Sequence, residues 1–382
     1  MLRHRQTLLL AWSAACLAVW ASSAPAQISV PSGFVVESAV PGAAFDTPTG
    51  IAFLPDGRML VTLKEGTVWM VQNGSKLPGP MLDLRRVVLN QGDRGLLDVA
   101  VDPNFASNRY LYFVYVVDPD SDMVDNNDDA YSRLVRYQLP VGSNLVDTTT
   151  RAVLFGRNWA EGPPSGSSSH TAGALRWGVD GSLMVSMGEG AQFDFVDEGG
   201  DDPGLFLPGR TNAIENIGAY RAQYVGSLAG KILRLDPATG LGYSSNPFYD
   251  GNPASVRSRV YAYGLRNPFR FCVRPGTGNV NPTQGRPGSI YLGDVGWSSW
   301  EELSIATLPG MNFGWPCREG LHTTDYVNST PPAHSGCSRT ACCTWVRATS
   351  ITSTSRSSRT ARIRGRGTTS PMRRRSTTTP RA

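Results

Sequence analysis

Residues 50–61 read Gly-Ile-Ala-Phe-Leu-Pro-Asp-Gly-Arg-Met-Leu-Val. A short apolar run, a Pro-Asp-Gly turn and a second apolar run predict two antiparallel strands joined by a hairpin. The same order returns in residues 97–115 and 174–185, and a looser copy runs through residues 271–292. The chain is therefore predicted to consist of repeated β-hairpins, since helical periodicity is scarce.

The spacing of these repeats favours one architecture. The turn residues Asp56, Asp102 and Asp180 lie 46 and 78 residues apart, and a four-stranded propeller blade takes about 40–50 residues. The wider interval fits a blade that carries a long loop or an extra partial repeat. We predict an all-β propeller, and a β-sandwich with similar hairpins is the alternative.

The first 26 residues have the composition of a secretory signal peptide. Arg3 and Arg5 precede an apolar run over residues 8–20, and small residues suited to cleavage stand at positions 24–26. The interpretation predicts a periplasmic or secreted protein with no integral membrane span after cleavage; a short membrane anchor is the alternative. No second apolar run has the length of a membrane-spanning helix, which argues against a multi-pass membrane protein.

Charge is distributed unevenly along the chain. The net charge is +5, but residues 339–382 contain eleven Arg and no acidic residue. Without them the chain has 25 basic and 31 acidic residues. Since nucleic-acid binding needs clustered basic charge, we expect no nucleic-acid partner for the body of the protein.

The C-terminal stretch has a composition of its own. Residues 346–382 are almost entirely Arg, Ser, Thr, Pro and Gly, without apolar periodicity, so a disordered tail is predicted. Because the chain has 33 Arg and three Lys, typical of a GC-rich gene, we favour out-of-frame translation over a genuine basic arm. The predicted division is a signal peptide (1–26), a propeller (27–335) and a disordered Arg/Ser/Thr-rich tail (336–382).

Histidine is rare in the body of the chain, and His170 has a notable position. It follows a Ser-rich loop and directly precedes a predicted strand, which places an imidazole at the mouth of a ring of blades. There it is a candidate general base, or else a hydrogen-bonded loop histidine.

Two further segments contain candidate ligand-binding groups. Arg266-Asn267 precedes Pro268 in a predicted turn and suits an anionic, quinone or carboxylate oxygen; a structural clamp on loop carbonyls is the alternative. Residues 293–302 combine a Gly turn with three carboxylates, and carbonyls with carboxylates are Ca²⁺ ligands. Glu301 and Glu302 could equally face solvent.

Together these segments resemble the soluble glucose/sorbosone dehydrogenases, the aldose sugar dehydrogenase-like family of six-bladed propellers that use pyrroloquinoline quinone (PQQ). The resemblance covers about residues 30–320. It is carried by an ordered series: Gly33-Phe34-Val35-Val36-Glu37, Pro48-Thr49-Gly50-Ile51, Asp93-Arg94-Gly95-Leu96-Leu97, Asp102-Pro103-Asn104-Phe105, His170, Gly188-Glu189-Gly190, Gly230-Lys231-Ile232-Leu233-Arg234, Gly264-Leu265-Arg266-Asn267-Pro268, Gly293-Asp294-Val295-Gly296, Trp300-Glu301-Glu302 and Asn312-Phe313-Gly314-Trp315-Pro316.

The resemblance implies PQQ-dependent oxidation of an aldose or a related polyol to a lactone or carbonyl, with electrons passed to an external acceptor. It makes His170 the general base and places the quinone on Arg266, Asn267 and Gly296. It also implies Ca²⁺ on the carbonyls of Gly296 and Trp297.

For the carboxylates of Glu301 and Glu302 the resemblance implies less, a structural ion or none. Ser169 stands where the glucose-oxidising members have an acidic residue, which leaves the choice of sugar open.

The resemblance ends near residues 317–319, whereas the family continues into further blades that close the ring. We therefore expect a six-bladed propeller that is incomplete at its last blade or blades. Three alternatives to an active dehydrogenase stay open: a non-catalytic secreted propeller that binds sugar or protein, an inactive truncated product, and a Ca²⁺-dependent lactonase.

Overall fold

A computed structural model describes residues 30–124, 126, 129–329, 331 and 351–353. The predicted signal peptide and most of the predicted tail lie outside these residues. Within the described part of the chain, no helix combines the length and the apolar character needed to cross a bilayer.

Strands dominate the structure. The first sheet contains β1 (Pro48–Phe53), β2 (Met59–Leu63), β3 (Thr67–Gln72), β4 (Ser75–Lys76) and β5 (Leu82–Asp83). The second contains β6 (Leu96–Val101), β7 (Tyr110–Val117), β8 (Ala130–Gln138), β9 (Asp147–Phe155) and β10 (Pro164–Ser165), with the single-turn helix α1 (Phe105–Asn108) between β6 and β7.

The third sheet contains β11 (Ala172–Trp177), β12 (Leu183–Met187), β13 (Lys231–Leu235) and β14 (Val260–Tyr263). The fourth begins with β15 (Arg270–Val273), β16 (Ile290–Asp294) and β17 (Glu301–Ala306). After the separate pair β18 (Arg318–Glu319) and β19 (His322–Thr323), β20 (Ile351–Ser353) pairs with β17 and completes the fourth sheet. Short 3₁₀ segments lie at Pro203–Phe206, Ala213–Glu215, Gly218–Ala222, Arg257–Arg259, Pro282–Gln284 and Asp325–Asn328.

The four sheets are the blades of an all-β propeller, as predicted. Their first strands, β1, β6, β11 and β15, contact one another in that order. The expectation of six blades is wrong for the described residues, which form four. Residues 33–37, the first motif of the series that carries the resemblance, form no strand, and Phe34 and Val35 are exposed. β20 lies inside the segment predicted as tail.

The predicted hairpins are confirmed, and their turns show why. Between β1 and β2, Arg58 N–H donates to Asp56 Oδ1 at 3.2 Å, and Gly57 adopts a left-handed φ of 85°. The third blade repeats this device, since Ser182 N–H donates to Asp180 Oδ1 at 3.0 Å beside Gly181 at φ 76°. An aspartate that bonds the backbone two residues on, followed by glycine, closes each turn.

Apolar side chains from neighbouring blades fill the spaces between the sheets. Successive residues of a strand project to opposite faces, and β7 uses both. Phe113 and Tyr115 pack towards the first blade, whereas Tyr112 and Val114 pack towards the third. A third cluster, around Ile232, joins the third and fourth blades. Each blade is thus held by its neighbours.

The first strands all begin on the same face of the propeller. The guanidinium of Arg270, the first residue of β15, donates to the carbonyls of Thr49 at 2.6 Å, Gly173 at 3.3 Å and Leu97 at 3.5 Å. Each of these is the second residue of its own strand. We call this side the entry face. The loops that precede β11 and β15 and the loops that follow β12 and β16 all meet the strands on this face. The predicted site residues therefore lie on one face.

We predict that Arg270→Met lowers the free energy of unfolding by about 2–4 kcal/mol, because the substitution leaves inward-facing carbonyls of three blades without their charged donor. Chemical denaturation monitored by circular dichroism measures the change. The matched control is Arg274→Met, an exposed arginine just beyond the end of β15, which should shift stability by less than about 0.5 kcal/mol. Equal effects of the two substitutions would contradict the prediction.

Candidate functional site

His170 lies on the entry face, two residues before β11. It is 3% exposed and has a left-handed φ of 54°, a conformation uncommon for residues other than glycine and typical of functional sites. Its carbonyl accepts a hydrogen bond from Gly190 N–H at 2.8 Å. The backbone thus turns sharply to direct the imidazole towards the loop that follows β12.

Glu189 is the partner of that imidazole. Its Oε1 lies 2.7 Å from His170 Nδ1, and both side chains are buried. Because a carboxylate accepts and does not donate, the proton of this bond is assigned to Nδ1, which leaves Nε2 as the acceptor. The flanking glycines permit the contact, since a Cβ at Gly188 would lie 2.2 Å from His170 O and one at Gly190 would lie 2.3 Å from Pro164 O.

A second carboxylate fixes the loop that precedes His170. Asp93 Oδ2 accepts from Ser169 Oγ at 2.6 Å and from His170 N–H at 3.3 Å. Arg94 is fully buried and donates to the carbonyls of Ser165 and Ser167 at 2.7 and 3.1 Å. The Ser-rich loop is therefore held on both sides.

Arg266 and Asn267 lie beside this pair. Arg266 O accepts from Glu189 N–H at 2.9 Å, which joins the two segments directly. The backbone N–H groups of Arg266 and Asn267 donate to Asp294 at 3.1 and 2.7 Å. Asp294 is buried, and desolvation, reinforced by the nearby Glu302, raises the pKa of its carboxyl well above the usual range.

Several polar atoms of this cluster are buried without a hydrogen-bond partner among the described residues. They are Glu189 Oε2, Arg266 Nε, Asn267 Oδ1 and Trp315 Nε1. The Arg266 guanidinium also lies 5.2 Å from the centre of the Trp315 ring. Leaving a buried polar group unpaired costs about 1–3 kcal/mol. The cluster therefore suits a ligand with both donors and acceptors, and the two unpaired donors suit anionic or quinone oxygens.

Gly296 and Trp297, predicted cofactor and metal residues, lie in the loop between β16 and β17. That loop wraps around the carboxylate of Glu319, which accepts from the N–H of Trp297 and from those of Ser298 and Ser299 at 3.0 Å each. Sequence reasoning did not single out Glu319, because it lies some 20 residues away across a non-local contact.

The predicted metal residues fall into two groups, the Gly296 and Trp297 carbonyls and the carboxylates of Glu301 and Glu302. Glu301 and Glu302 are neighbours in β17 and so project to opposite faces of the sheet; Glu301 is exposed, whereas burial raises the pKa of Glu302 to about 7. The Gly296 carbonyl accepts from Arg266 Nη1 at 2.8 Å. That carbonyl keeps a second lone pair, so Ca²⁺ at Gly296 and Trp297 stays a prediction, and the ion would lie beside the guanidinium.

An aromatic wall borders His170. The ring of Phe193 meets the imidazole edge-on, with 6.2 Å between the ring centres, and 40% of Phe193 is exposed. Its carbonyl accepts from Trp297 Nε1 at 2.8 Å, which ties the loop after β12 to the loop after β16. His170 therefore lies beside a partly exposed aromatic ring, a feature of small-molecule sites.

Buried charges lie under the loop after β12. Glu215 is 8% exposed, and desolvation raises the pKa of its carboxyl to about 7. Lys231 Nζ is fully buried and donates to the carbonyls of Arg221, Ala222 and Ala229 at 2.6–2.9 Å. The hydrogen bonds of Lys231 stabilise the loop between β12 and β13.

Comparison with known proteins identifies the family. The family model Glucose / Sorbosone dehydrogenase matches residues 45–358, so the chain belongs to the glucose/sorbosone dehydrogenase family. It is 27% identical to an aldose sugar dehydrogenase of Escherichia coli K12 over 316 residues, which are 82% of this chain and 68% of that protein. It is 28% identical to the human Hedgehog-interacting protein over 266 residues, 65% of this chain and 33% of that protein.

A solved structure supports the fold. The PQQ-bound aldose sugar dehydrogenase of Streptomyces coelicolor superposes with a TM-score of 0.53 and 24% identity, over 76% of this chain and 68% of that chain. The chain thus spans about two thirds of these two bacterial dehydrogenases and a third of the human relative.

We predict that Glu215→Gln removes one source of pH dependence from stability. Its folded pKa of about 7 lies above the ordinary 4.5, so the stabilisation associated with protonated Glu215 is complete below about pH 4.5 and lost as the pH rises through 7. Thermal unfolding at pH 5 and pH 8 should show a smaller decrease for Glu215→Gln than for the wild type. Glu37→Gln, at an exposed position, should behave as the wild type does. Parallel curves for the two variants would refute the assignment.

Proposed function

We propose that the chain catalyses the PQQ-dependent oxidation of an aldose or a related polyol to a lactone or carbonyl, with an external electron acceptor. One observation carries the proposal: a buried His170–Glu189 pair is joined through the backbone to Arg266, amid polar atoms that lack partners. A candidate base that lies next to buried hydrogen-bond donors for an oxidant suits the oxidation of a hydroxyl group.

His170 is the proposed general base. Its Nε2 would accept the proton of the substrate hydroxyl, while the contact of Nδ1 with Glu189 fixes the orientation of the ring and stabilises the imidazolium that forms. Bound quinone would supply the two-electron acceptor for the hydride that leaves the carbon bearing this hydroxyl. The Phe193 ring beside the imidazole would bind the apolar face of the substrate.

The residues present suit a quinone cofactor that itself carries carboxylate groups. Among the residues that the structure describes, Arg266 Nε and Trp315 Nε1 are donors without a partner, and Asn267 Oδ1 is an acceptor without one. These groups would orient the cofactor, and the guanidinium would stabilise negative charge on its oxygens. Calcium at Gly296 and Trp297 belongs to the same proposal, and it would share the Gly296 carbonyl with Arg266 Nη1.

Export to the periplasm or the exterior is also proposed, on the composition of residues 1–26. The main alternative is a propeller that binds without catalysis. The matched region of the human Hedgehog-interacting protein keeps it open, because the same fold supports different functions.

We predict that His170→Ala lowers sugar-dependent dye reduction by about 10²–10⁴-fold in protein supplied with PQQ and Ca²⁺, because removal of a general base costs about that much. Stopped assays with a panel of aldoses and polyols measure the rate. His322→Ala is the control, since His322 is exposed at β19. A non-catalytic binder would show no turnover in any form of the protein, and full turnover in His170→Ala would exclude His170 as the base.

We also predict that Arg266→Met weakens PQQ binding by about 10- to 100-fold, as expected for the loss of charge-assisted hydrogen bonds worth about 1.5–3 kcal/mol. Quenching of tryptophan fluorescence reports binding without turnover. Arg274→Met should bind as the wild type does, because Arg274 is exposed beyond β15. Equal affinities for the wild type and Arg266→Met would place the quinone elsewhere.

A further inference from the structure

Arg221 is a buried cation with an unusual set of partners. It is 1% exposed, and its three hydrogen bonds all go to backbone carbonyls. Nε donates to Glu189 O at 2.9 Å, Nη2 to Gly190 O at 2.9 Å and Nη1 to Glu215 O at 3.2 Å. None of the ion pairs among the described residues includes Arg221.

Burying a guanidinium in this way destabilises the fold unless its hydrogen bonds have a structural purpose. Removing a guanidinium from water without a directly paired carboxylate costs several kcal/mol. The planar fork of arginine can, however, hold two successive carbonyls in a fixed relation, which a lysine or an apolar side chain cannot. The two carbonyls it holds belong to Glu189, the partner of His170, and to the next residue, Gly190.

These bonds complete the restraint of one short segment. Glu189 N–H donates to Arg266 O and Gly190 N–H donates to His170 O, whereas both carbonyls accept from Arg221. Gly190 O also accepts from Ser167 N–H, at the longer distance of 3.4 Å. Gly190 has a φ of 65° and no side chain, so it can change conformation readily once the Arg221 bond is lost. Among the described residues, Arg221 is the side chain that bonds to both carbonyls, and it is not part of the cluster that would touch substrate or cofactor.

Arg221 is itself anchored to the third blade. It lies in the 3₁₀ segment Gly218–Ala222, and its own carbonyl accepts from Lys231 Nζ at 2.7 Å. Lys231 is the first residue of β13. A continuous series of contacts therefore runs from a central strand of the blade through Arg221 to Glu189 and on to His170.

We propose that Arg221 is a positioning residue: its guanidinium fixes the main chain of Glu189, so that the carboxylate meets His170 Nδ1 and Nε2 remains the proton acceptor. The catalytic consequence rests on the function proposed above; the effect on the imidazole does not. Loss of Arg221 removes the bond to the buried Glu189 carbonyl, leaves Gly190 O with the longer bond from Ser167 N–H at 3.4 Å, and lets the Glu189 carboxylate move from Nδ1.

The test observes the imidazole directly, in full-length protein without quinone. Nitrogen-15 spectra of histidine-labelled protein distinguish the two neutral tautomers, and His170→Asn identifies the His170 signals. We expect the wild type to show the Nδ1–H form, and Arg221→Met to show a mixture of both. With quinone and sugar, kcat of Arg221→Met should fall about 10- to 100-fold with little change in KM, since a misplacement of about 1 Å can cost 10²-fold.

Arg221→Lys retains the positive charge but loses the fork, and should give an intermediate loss; it carries the test if Arg221→Met does not fold. Arg234→Lys is the matched control. Arg234 is a fully buried arginine of β13 that is bonded to Asp180 Oδ2 at 2.7 Å, at the opposite end of the strand.

Arg234→Lys should leave the His170 tautomer unchanged. A wild-type tautomer in Arg221→Lys and in any folded Arg221→Met would overturn the proposal. Absence of turnover in the wild type, by contrast, would refute the proposed reaction while the spectra still decide the role of Arg221.

Discussion

The guanidinium of Arg270 links the inner strands of the four blades that the structure describes. Arg270 begins β15 and reaches the second residue of each of the other three inner strands, Thr49, Leu97 and Gly173. Burial lowers the pKa of Arg270, and the Asp98 carboxylate opposes that effect. Because these contacts align the beginnings of the strands, the loops that enter and leave them meet on one face. The apolar clusters between the sheets hold blades together, but they do not by themselves bring the strand ends into register.

The site follows from that alignment and from tight backbone contacts. His170 comes from the loop before β11, Glu189 from the loop after β12, and Arg266 from the loop before β15. Gly188, Gly190 and Gly296 are points of close approach; a Cβ at Gly296, for example, would lie 1.6 Å from Trp300 O. Rigid strands set the positions coarsely, and glycine-permitted contacts set the final distances.

Local signals could be read from the sequence, whereas contacts between distant segments could not. The Asp56-Gly57 and Asp180-Gly181 turns were predictable because the side chain bonds the backbone two residues away. His170 and Arg266 were predictable as strand-flanking residues. Three contacts join segments that only the fold brings together: Glu189 with His170, Glu319 with the loop between β16 and β17, and Arg221 with the carbonyls of Glu189 and Gly190. The divergence of Glu301 and Glu302 could have been foreseen, because adjacent strand residues project to opposite faces.

The unpaired buried atoms explain why this part of the fold is held so firmly. Glu189 Oε2, Arg266 Nε and Trp315 Nε1 are buried without a partner among the described residues, and His170 has a left-handed backbone conformation. Each feature lowers stability on its own, so the surrounding structure has to fix it from outside. Asp93, Asp294, Glu319 and Arg221 do this chiefly by bonding to backbone N–H and C=O groups. A main chain fixed in this way can keep Arg266 Nε and Asn267 Oδ1 unpaired at low structural cost, which is the arrangement that the proposed reaction would require.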